Sequence, residues 1–409
     1  MNIKKKTVAF IITILFFILI IYTNSYLAID EKILYVGGDT SRNYTSINKA
    51  MNDSINGDTI FVFNGTYFEN IKFYKAVKLI GEDKESTIIQ YNGSDETVSI
   101  LVDGCTFNGF TIRNSIGGAF SGINIESNNN VITNNIIENN SGWGIYMFYS
   151  SNNLISDNIF INDGLNIVGD ITSWNTHTVE NNTINGKPLF FYKNIYNKNI
   201  SSLNAGQIIL VNCTNLTIQN SFISNVDQAI VLGYSSFCLI TKNILSNNIF
   251  GIRLNYASNN TISENYVENN DFGIYVIHSK NNDIFKNEIC SNRFYGCYLC
   301  CNSIFNTIYL NNFTLNNNSA FDAIGNQWFR NKTGNYWDDY NGSDNDGDGI
   351  GDKPYDDIGP FKDNIDLFPI VSFKKISEAD ETYGFDFVLL FCSVFIVILL
   401  IKNRMIYIK

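Results

Sequence analysis

The chain has 409 residues, 28 of them basic and 39 acidic, for a formal net charge of −11. An acidic surface argues against nucleic acid as a partner, because phosphate binding needs clustered Lys and Arg. With 45% apolar and 14% aromatic residues it can bury a core, which excludes a disordered chain, and only 4 Pro exclude a Pro-rich linker. The dominant bias is 63 Asn, about 15% of the chain.

From the N-terminus, Lys4, Lys5 and Lys6 precede an apolar run from Val8 to Tyr22. A basic flank and a short apolar segment read as a secretory signal or signal anchor over residues 1–28, with Ala28 nearest to a cleavage position. Residues 46–51 then read as a short capping helix, and the chain beyond it is repetitive. Gly-apolar or Ala-apolar steps recur at Gly122-Ile123, Gly144-Ile145, Ala229-Ile230, Gly251-Ile252, Gly273-Ile274 and Gly296-Cys297. Within each run the spacing is 22 or 23 residues. Each unit carries short alternating segments rich in β-branched residues, separated by Asn-Asn or Ser-Asn turns, too short for helices. Self-similarity at ~22 residues predicts an all-β right-handed parallel β-helix of roughly 13 coils over 33–330. The stretch 170–212 breaks the period and is expected to be an irregular centre.

Columns at the repeat spacing support the solenoid. Asn135, Asn158, Asn243, Asn265, Asn287 and Asn311 share one place in their units. Stacked Asn at a turn passes amide hydrogen bonds along the column and tolerates left-handed backbone. Tyr149, Tyr234, Tyr256, His278 and Cys301 form a second column, and Lys242, Glu264 and Lys286 a third of alternating charge. The outward face of the repeated strand reads as Asn124, Tyr146, Val231, Arg253, Tyr275 and Tyr298, with Phe148 beside Tyr146. That face has one Arg and no carboxylate pair at the ~5–9.5 Å separation a glycosidase needs, so no catalytic constellation is expected. Exposed aromatics over a flat sheet suit sugar rings, which makes Tyr146, Arg253, Tyr275 and Tyr298 the candidate ligand-binding residues.

Beyond the repeats, residues 331–370 form an Asp-rich segment. Residues 338–366 hold ten Asp and two Lys, most of the chain's net charge. Within it, Asp344, Asp346 and Asp348 alternate ahead of Gly349 and Asp352, the carboxylate spacing of a turn around a hard cation. Calcium is the expected cofactor, with Asp344, Asp346, Asp348 and Asp352 as metal ligands. Position 12 of the loop is Tyr355 rather than Glu, so the loop departs from an EF-hand. A solvated acidic loop is the alternative reading.

Eight Cys show no paired zinc spacing and are read first as buried thiols. Sequons include Asn43, Asn64, Asn92, Asn259 and Asn331, possible glycosylation sites of an exported chain. Finally, an apolar run at 385–401 precedes the basic tail 402–409. The fifteen residues from Phe387 span about 22 Å against a hydrocarbon core of ~30 Å. A transmembrane segment with a cytoplasmic tail is expected, which places the body outside the cell.

The opening Tyr44-Thr45-Ser46-Ile47, Gly57-Asp58-Thr59-Ile60 and Gly65-Thr66-Tyr67 resembles the start of pectin-lyase-like β-helix proteins. Trp174-Asn175-Thr176-His177, Asn185-Gly186-Lys187-Pro188-Leu189 and Gly206-Gln207-Ile208-Ile209 resemble the centre of the NosD-type family. The end, Gly334-Asn335-Tyr336-Trp337-Asp338-Asp339-Tyr340, is similar to its archaeal surface members. The resemblance implies an extracytoplasmic β-helix. It brings two rivals to a structural, adhesive or carbohydrate-binding surface protein that meets polysaccharide or surface-layer components. One is a lyase or hydrolase acting on polysaccharide. The other is a copper-handling protein, which fits poorly with two His, His177 and His278, and four Met.

Overall fold

The computed structural model describes residues 31–372, apart from 42, 92, 114–119 and 362–363. The two terminal apolar runs, Cys392 and the sequon at Asn92 therefore lie outside the described residues. Among those described, no helix is long and apolar enough to cross a membrane.

The described chain winds as a parallel β-solenoid of about 14 turns, with almost no helix. A helix at Ile47–Asp53 sits near its start. Ser46 accepts from Lys49 N, and the Glu69 carboxylate accepts from Ile47 N and Asn48 N, so the first-turn donors are satisfied from the coil beneath. Strands of three to six residues then stack one coil above the next with apolar residues pointing inward. One continuous core results, from Leu34 and Val36 to Trp337, Tyr355 and Ile358.

Amide ladders run through this core. Asn265 N and Nδ2 both donate to Asn287 Oδ1 at 3.0 Å, while its Nδ2 also reaches Ile240 O at 2.9 Å. Its own Oδ1 accepts the same pair of donors from Asn243. The ladder continues to Asn311 and Asn335. Parallel ladders run Asn248–Asn270–Asn292–Asn316 and Asn260–Asn282–Asn306–Asn326. In the earlier coils Asn135 leads to Asn158 and Asn182. The expected Asn column therefore exists as two separate ladders. Beside them, Tyr234, Tyr256 and His278 hold left-handed φ of 49–53° and stack at 4.9 and 4.5 Å. Lys242 and Glu264 pair at 3.8 Å on the surface.

The two ladders reflect two arms. In the first, strands build a seven-stranded sheet, a five-stranded sheet and the opening strands of a thirteen-stranded sheet. In the second, the thirteen-stranded sheet continues with two six-stranded sheets. The irregular centre is the join. Asn185 (φ 50°) and Gly186 (φ 75°) make a two-residue hairpin turn. Across it Thr183 pairs with Pro188 and Ile184 with Lys187, antiparallel, whereas the other named strand pairs described are parallel.

This reversal turns the sheet inside out. Register carries the face of Ile184 through Lys187 and Leu189 to Gln207, and that of Phe191 through Ile209 and Val231 to Arg253, Tyr275 and Tyr298. Ile184 points into the core of the first arm, yet Arg253 and the tyrosines lie on the outer face of the second. The second arm's core, with Ile230, Leu232, Ile252 and Leu254, lies on the opposite side of the shared sheet. The arms are thus offset, and the end of the first stands against the outer face of the second.

A rung of the ladder is irreplaceable by an apolar residue. Asn265→Ala leaves two Asn243 donors without their acceptor inside the core, at a cost of about 1–3 kcal/mol per buried unsatisfied group. The expected result is a lower melting temperature and earlier denaturant unfolding, read by far-UV circular dichroism. An unchanged midpoint would mean that the coils are held by apolar stacking alone.

Candidate functional site

The outward residues of the five-stranded sheet follow its register: Lys72, Ser99, Asn124, Tyr146 and Asn166. Those of the thirteen-stranded sheet run Val231, Arg253, Tyr275, Tyr298 and Phe321. The single column expected from spacing is therefore two rows on two sheets, because the period was read across a strand reversal. The rows meet at one contact, Arg253 Nη1 to Asn166 Oδ1 at 2.9 Å. The four candidate ligand residues Tyr146, Arg253, Tyr275 and Tyr298 are brought to this inner corner.

Polar side chains lock the corner. Leu165 lies in the last strand of the five-stranded sheet, an edge that would otherwise expose its backbone. Gln207 closes it with its own amide, Oε1 accepting from Leu165 N at 3.1 Å and Nε2 donating to Leu165 O at 2.9 Å. Tyr234 Oη donates to Gly169 O at 2.9 Å. A short helix, Ile171–Asn175, presses the buried Trp174 onto Gly233. A Cβ there would come within 2.3 Å of the indole, so only Gly permits this approach. Trp143 of the first arm stacks on Phe250 of the second at 5.8 Å.

Burial falls along the second row with distance from the corner. Val231 is 1% and Arg253 7% exposed, whereas Tyr275, Tyr298 and Phe321 are half-buried. Arg253 is thus a buried residue, not the exposed one the alternation suggests. Tyr275 and Tyr298 lie parallel at 5.2 Å, and Tyr298 and Phe321 at 4.7 Å, a continuous aromatic strip. Tyr146 lies across the corner, close to exposed Phe148.

The join also buries two carboxylates that the sequence reading missed. Asp227 Oδ2 reaches across the arms to accept from Gly144 N at 3.0 Å and Gly164 N at 2.7 Å. Asp163 accepts from Asn140. Burial pushes both acids up, Asp227 to about 7, and the neighbouring Asp227 raises Asp163 further. The only advance signal was the Asp-Gly at 163–164 beside a Gly-apolar step.

In the C-terminal segment, Asp344, Asp346 and Asp348 bring carboxylate oxygens within 4.8 Å of one another. Gly347 (φ 74°) and Gly349 (φ 89°) let the backbone curl so that both donate to Asp344. Asp352 does not join them: its Oδ2 accepts from Ser343 Oγ and from Asn345 N and Nδ2. Tyr355 faces the core, stacked on Trp337 at 4.2 Å, with Oη donating to Asp339. Asp366 accepts from Asn335 N and Trp337 Nε1 and closes the long ladder. The segment is thus partly a cap over the open end of the solenoid.

His177 Nδ1 accepts from Asn153 N at 3.2 Å, and burial holds the imidazole down at about 4. His278 is stacked on Tyr256, and Met51 and Met147 are buried in the core. Among the described residues the only group of three or more His, Cys, Asp or Glu poised around a common point is Asp344, Asp346 and Asp348. These donors do not fit a copper centre. Seven Cys are free, with Cys301 alone exposed. Of the sequon residues, Asn64, Asn259 and Asn331 are exposed, while half-buried Asn43 donates to Gly37 O.

A family model described as periplasmic copper-binding protein (NosD) matches residues 94–191 and 191–342. No curated protein matches the sequence. Several solved structures resemble the fold. The A-module of mannuronan C-5 epimerase AlgE6 from Azotobacter vinelandii is 12% identical, over 69% of this chain and 91% of that one, with a TM-score of 0.30. The lacto-N-biosidase of Eubacterium ramulus is 11% identical over 73% and 68%, at 0.33, and pectate lyase Pel9A 13% over 75% and 74%, at 0.29. The shared feature is the solenoid.

The buried acids set a pH dependence. Asp227 is raised to about 7 and Asp366, also by burial, to about 6, from 3.8. Raised folded values mean stability that is complete below pH ~4 and is lost as pH climbs through 6 to 7. His177, held low, acts in the opposite sense between pH 6.5 and 4. Asp227→Asn still accepts the two glycine N–H groups but cannot ionise. It is expected to raise the melting temperature at pH 7.5 and leave it unchanged at pH 4. Parallel melting curves across that range would refute the assignment.

Proposed function

The chain belongs to the NosD family of pectin-lyase-like right-handed β-helices, and from that premise we propose that it is a cell-surface protein that binds carbohydrate at the corner between its two arms. The observation carrying this reading is the strip Tyr275–Tyr298–Phe321, three parallel or near-parallel rings on a flat sheet, opening away from the corner. Aromatic faces at that spacing offer successive stacking platforms to a polymer of rings, and a half-buried aromatic patch bounded by polar groups is the kind of surface that marks a binding site. Export and tethering are supported by the basic-flanked apolar runs near both ends and by the exposed sequons Asn64, Asn259 and Asn331. The role is adhesive or structural: the chain holds a polymer against the cell.

Calcium is the cation proposed for the loop of Asp344, Asp346 and Asp348, whose hard oxygen donors suit it. Asp352 supports the loop by holding Ser343 and Asn345, so it acts as a brace and not as a ligand. A bound cation would stiffen the cap over Trp337 and stabilise the solenoid in proportion to its occupancy. Copper has no comparable set of donors among the described residues, and no part of this reading runs through it.

Two measurements check these statements. Tyr298→Ala is expected to weaken oligosaccharide binding about tenfold, a loss of ~1.4 kcal/mol, in isothermal titration against a panel of cell-wall polysaccharide fragments, with the melting temperature little changed. Unaltered affinity would remove the strip from the site. For the cation, calcium is expected to raise the melting temperature of the purified protein and a chelator to reverse it, with the effect absent in Asp346→Ala. A chelator response that survives in that variant would place the cation elsewhere.

A further inference from the structure

The Arg253 guanidinium is buried without a counter-ion. It keeps 7% of its surface, and both of its hydrogen bonds come from Nη1, to Asn166 Oδ1 and Gln228 Oε1, each at 2.9 Å. Those partners are neutral amides. Nε is buried and has no partner. No carboxylate of the described residues lies within ion-pair distance of it, although six such pairs form elsewhere. The acidic hydrogens nearest to it belong to Tyr275, Tyr146 and Cys300. Burial raises all three, the thiol to about 12, so none supplies a negative charge at neutral pH.

A buried cation of this kind is costly to a fold unless something pairs with it. Other polar atoms around it are also unpartnered. Asn255 Oδ1, two residues along the same strand, Asn124 Oδ1 in the facing row and Trp174 Nε1 under the elbow are buried without hydrogen bonds. One positive fork, one indole donor and two amide acceptors therefore line a single corner, beside an aromatic strip.

We propose that the corner binds an acidic sugar, the guanidinium of Arg253 taking a uronate carboxylate while Tyr275 and Tyr298 stack on the neighbouring rings. The inference rests on the carbohydrate-binding reading above and adds the charge class of the ligand. The planar guanidinium matches a carboxylate through two parallel N–H bonds, a geometry Lys does not offer. Hydroxyls of the same residue are the natural donors to Asn255 and Asn124. A net charge of −11 opposes any general attraction for polyanions, so affinity for an acidic polymer has to come from a local site.

The test uses the full chain and tetramers of galacturonate, mannuronate and glucuronate, each as free acid and as methyl ester, by isothermal titration. At least one acid is expected to bind ten- to a hundredfold tighter than its ester, as loss of a charge-assisted pair implies. That advantage should shrink with added salt and vanish in Arg253→Gln, while Arg253→Lys recovers part of it. Tyr298→Ala should weaken acid and ester alike. Equal binding of acid and ester overturns the carboxylate assignment and leaves the sugar-binding surface standing. Binding of none of the tetramers overturns both. Should Arg253→Gln fail to fold, the acid and ester comparison on the unaltered chain decides the matter.

Discussion

The interior amide ladder is the constraint on which the rest of this structure depends. A solenoid turn buries polar backbone at every corner, and each buried N–H must find an acceptor. Here Asn supplies it: one side chain takes two donors from the coil before and gives two to the coil after and to a strand carbonyl. The arrangement works only if coils repeat at nearly constant length, which is why the period stays close to 22 residues wherever ladders run. It also points one way. Donors always face the next coil, so each ladder must finish on an acceptor that has no donors to pass on.

That requirement explains several buried ionisable groups that otherwise look like active-site residues. The long ladder of the second arm ends on Asp366, and its neighbour through Asn326 ends on Asp322. In the first arm Asn153 donates to His177 Nδ1, a nitrogen that accepts only while unprotonated. The low imidazole value follows from that place, and the raised value of Asp366 from the burial the cap requires. A histidine in a family named for copper and a carboxylate inside an Asp-rich tail are both, physically, ends of ladders.

The solenoid was legible because its signal is repeated. Six Asn and six Gly-apolar or Ala-apolar steps at one spacing outvote any local ambiguity, and the capping helix at Ser46 carried its own end signal. The elbow was not legible, because both arms obey the same inward pattern and a strand reversal leaves that pattern intact on either side. The one local sign was Asn185-Gly186, a hairpin turn pair inside a stretch otherwise marked only by its resemblance to relatives. Missing it merged Tyr146 and Tyr275 into one column and made Arg253 look exposed. In the acidic loop, alternation identified Asp344, Asp346 and Asp348 correctly as neighbours. It failed at Asp352, since spacing says nothing about the competing donors Ser343 and Asn345.

The elbow gathers opposite charges without pairing them. Asp163 and Asp227 lie buried at the join, and Arg253 is buried where the same two arms touch, yet the acids spend their oxygens on Asn140, Gly144 and Gly164 and the base meets only amides. Had stability alone shaped the corner, an Arg–Asp bridge or an apolar pair would serve better, since replacing buried charge by packed hydrocarbon is often neutral or favourable. The acids have a structural task, because they tie glycine-containing turns of one arm to the other. The base has none that Gln or Leu would not perform. A cation kept at the foot of an aromatic strip, with its nearest acids already occupied, is an arrangement in which the missing partner comes from outside the chain.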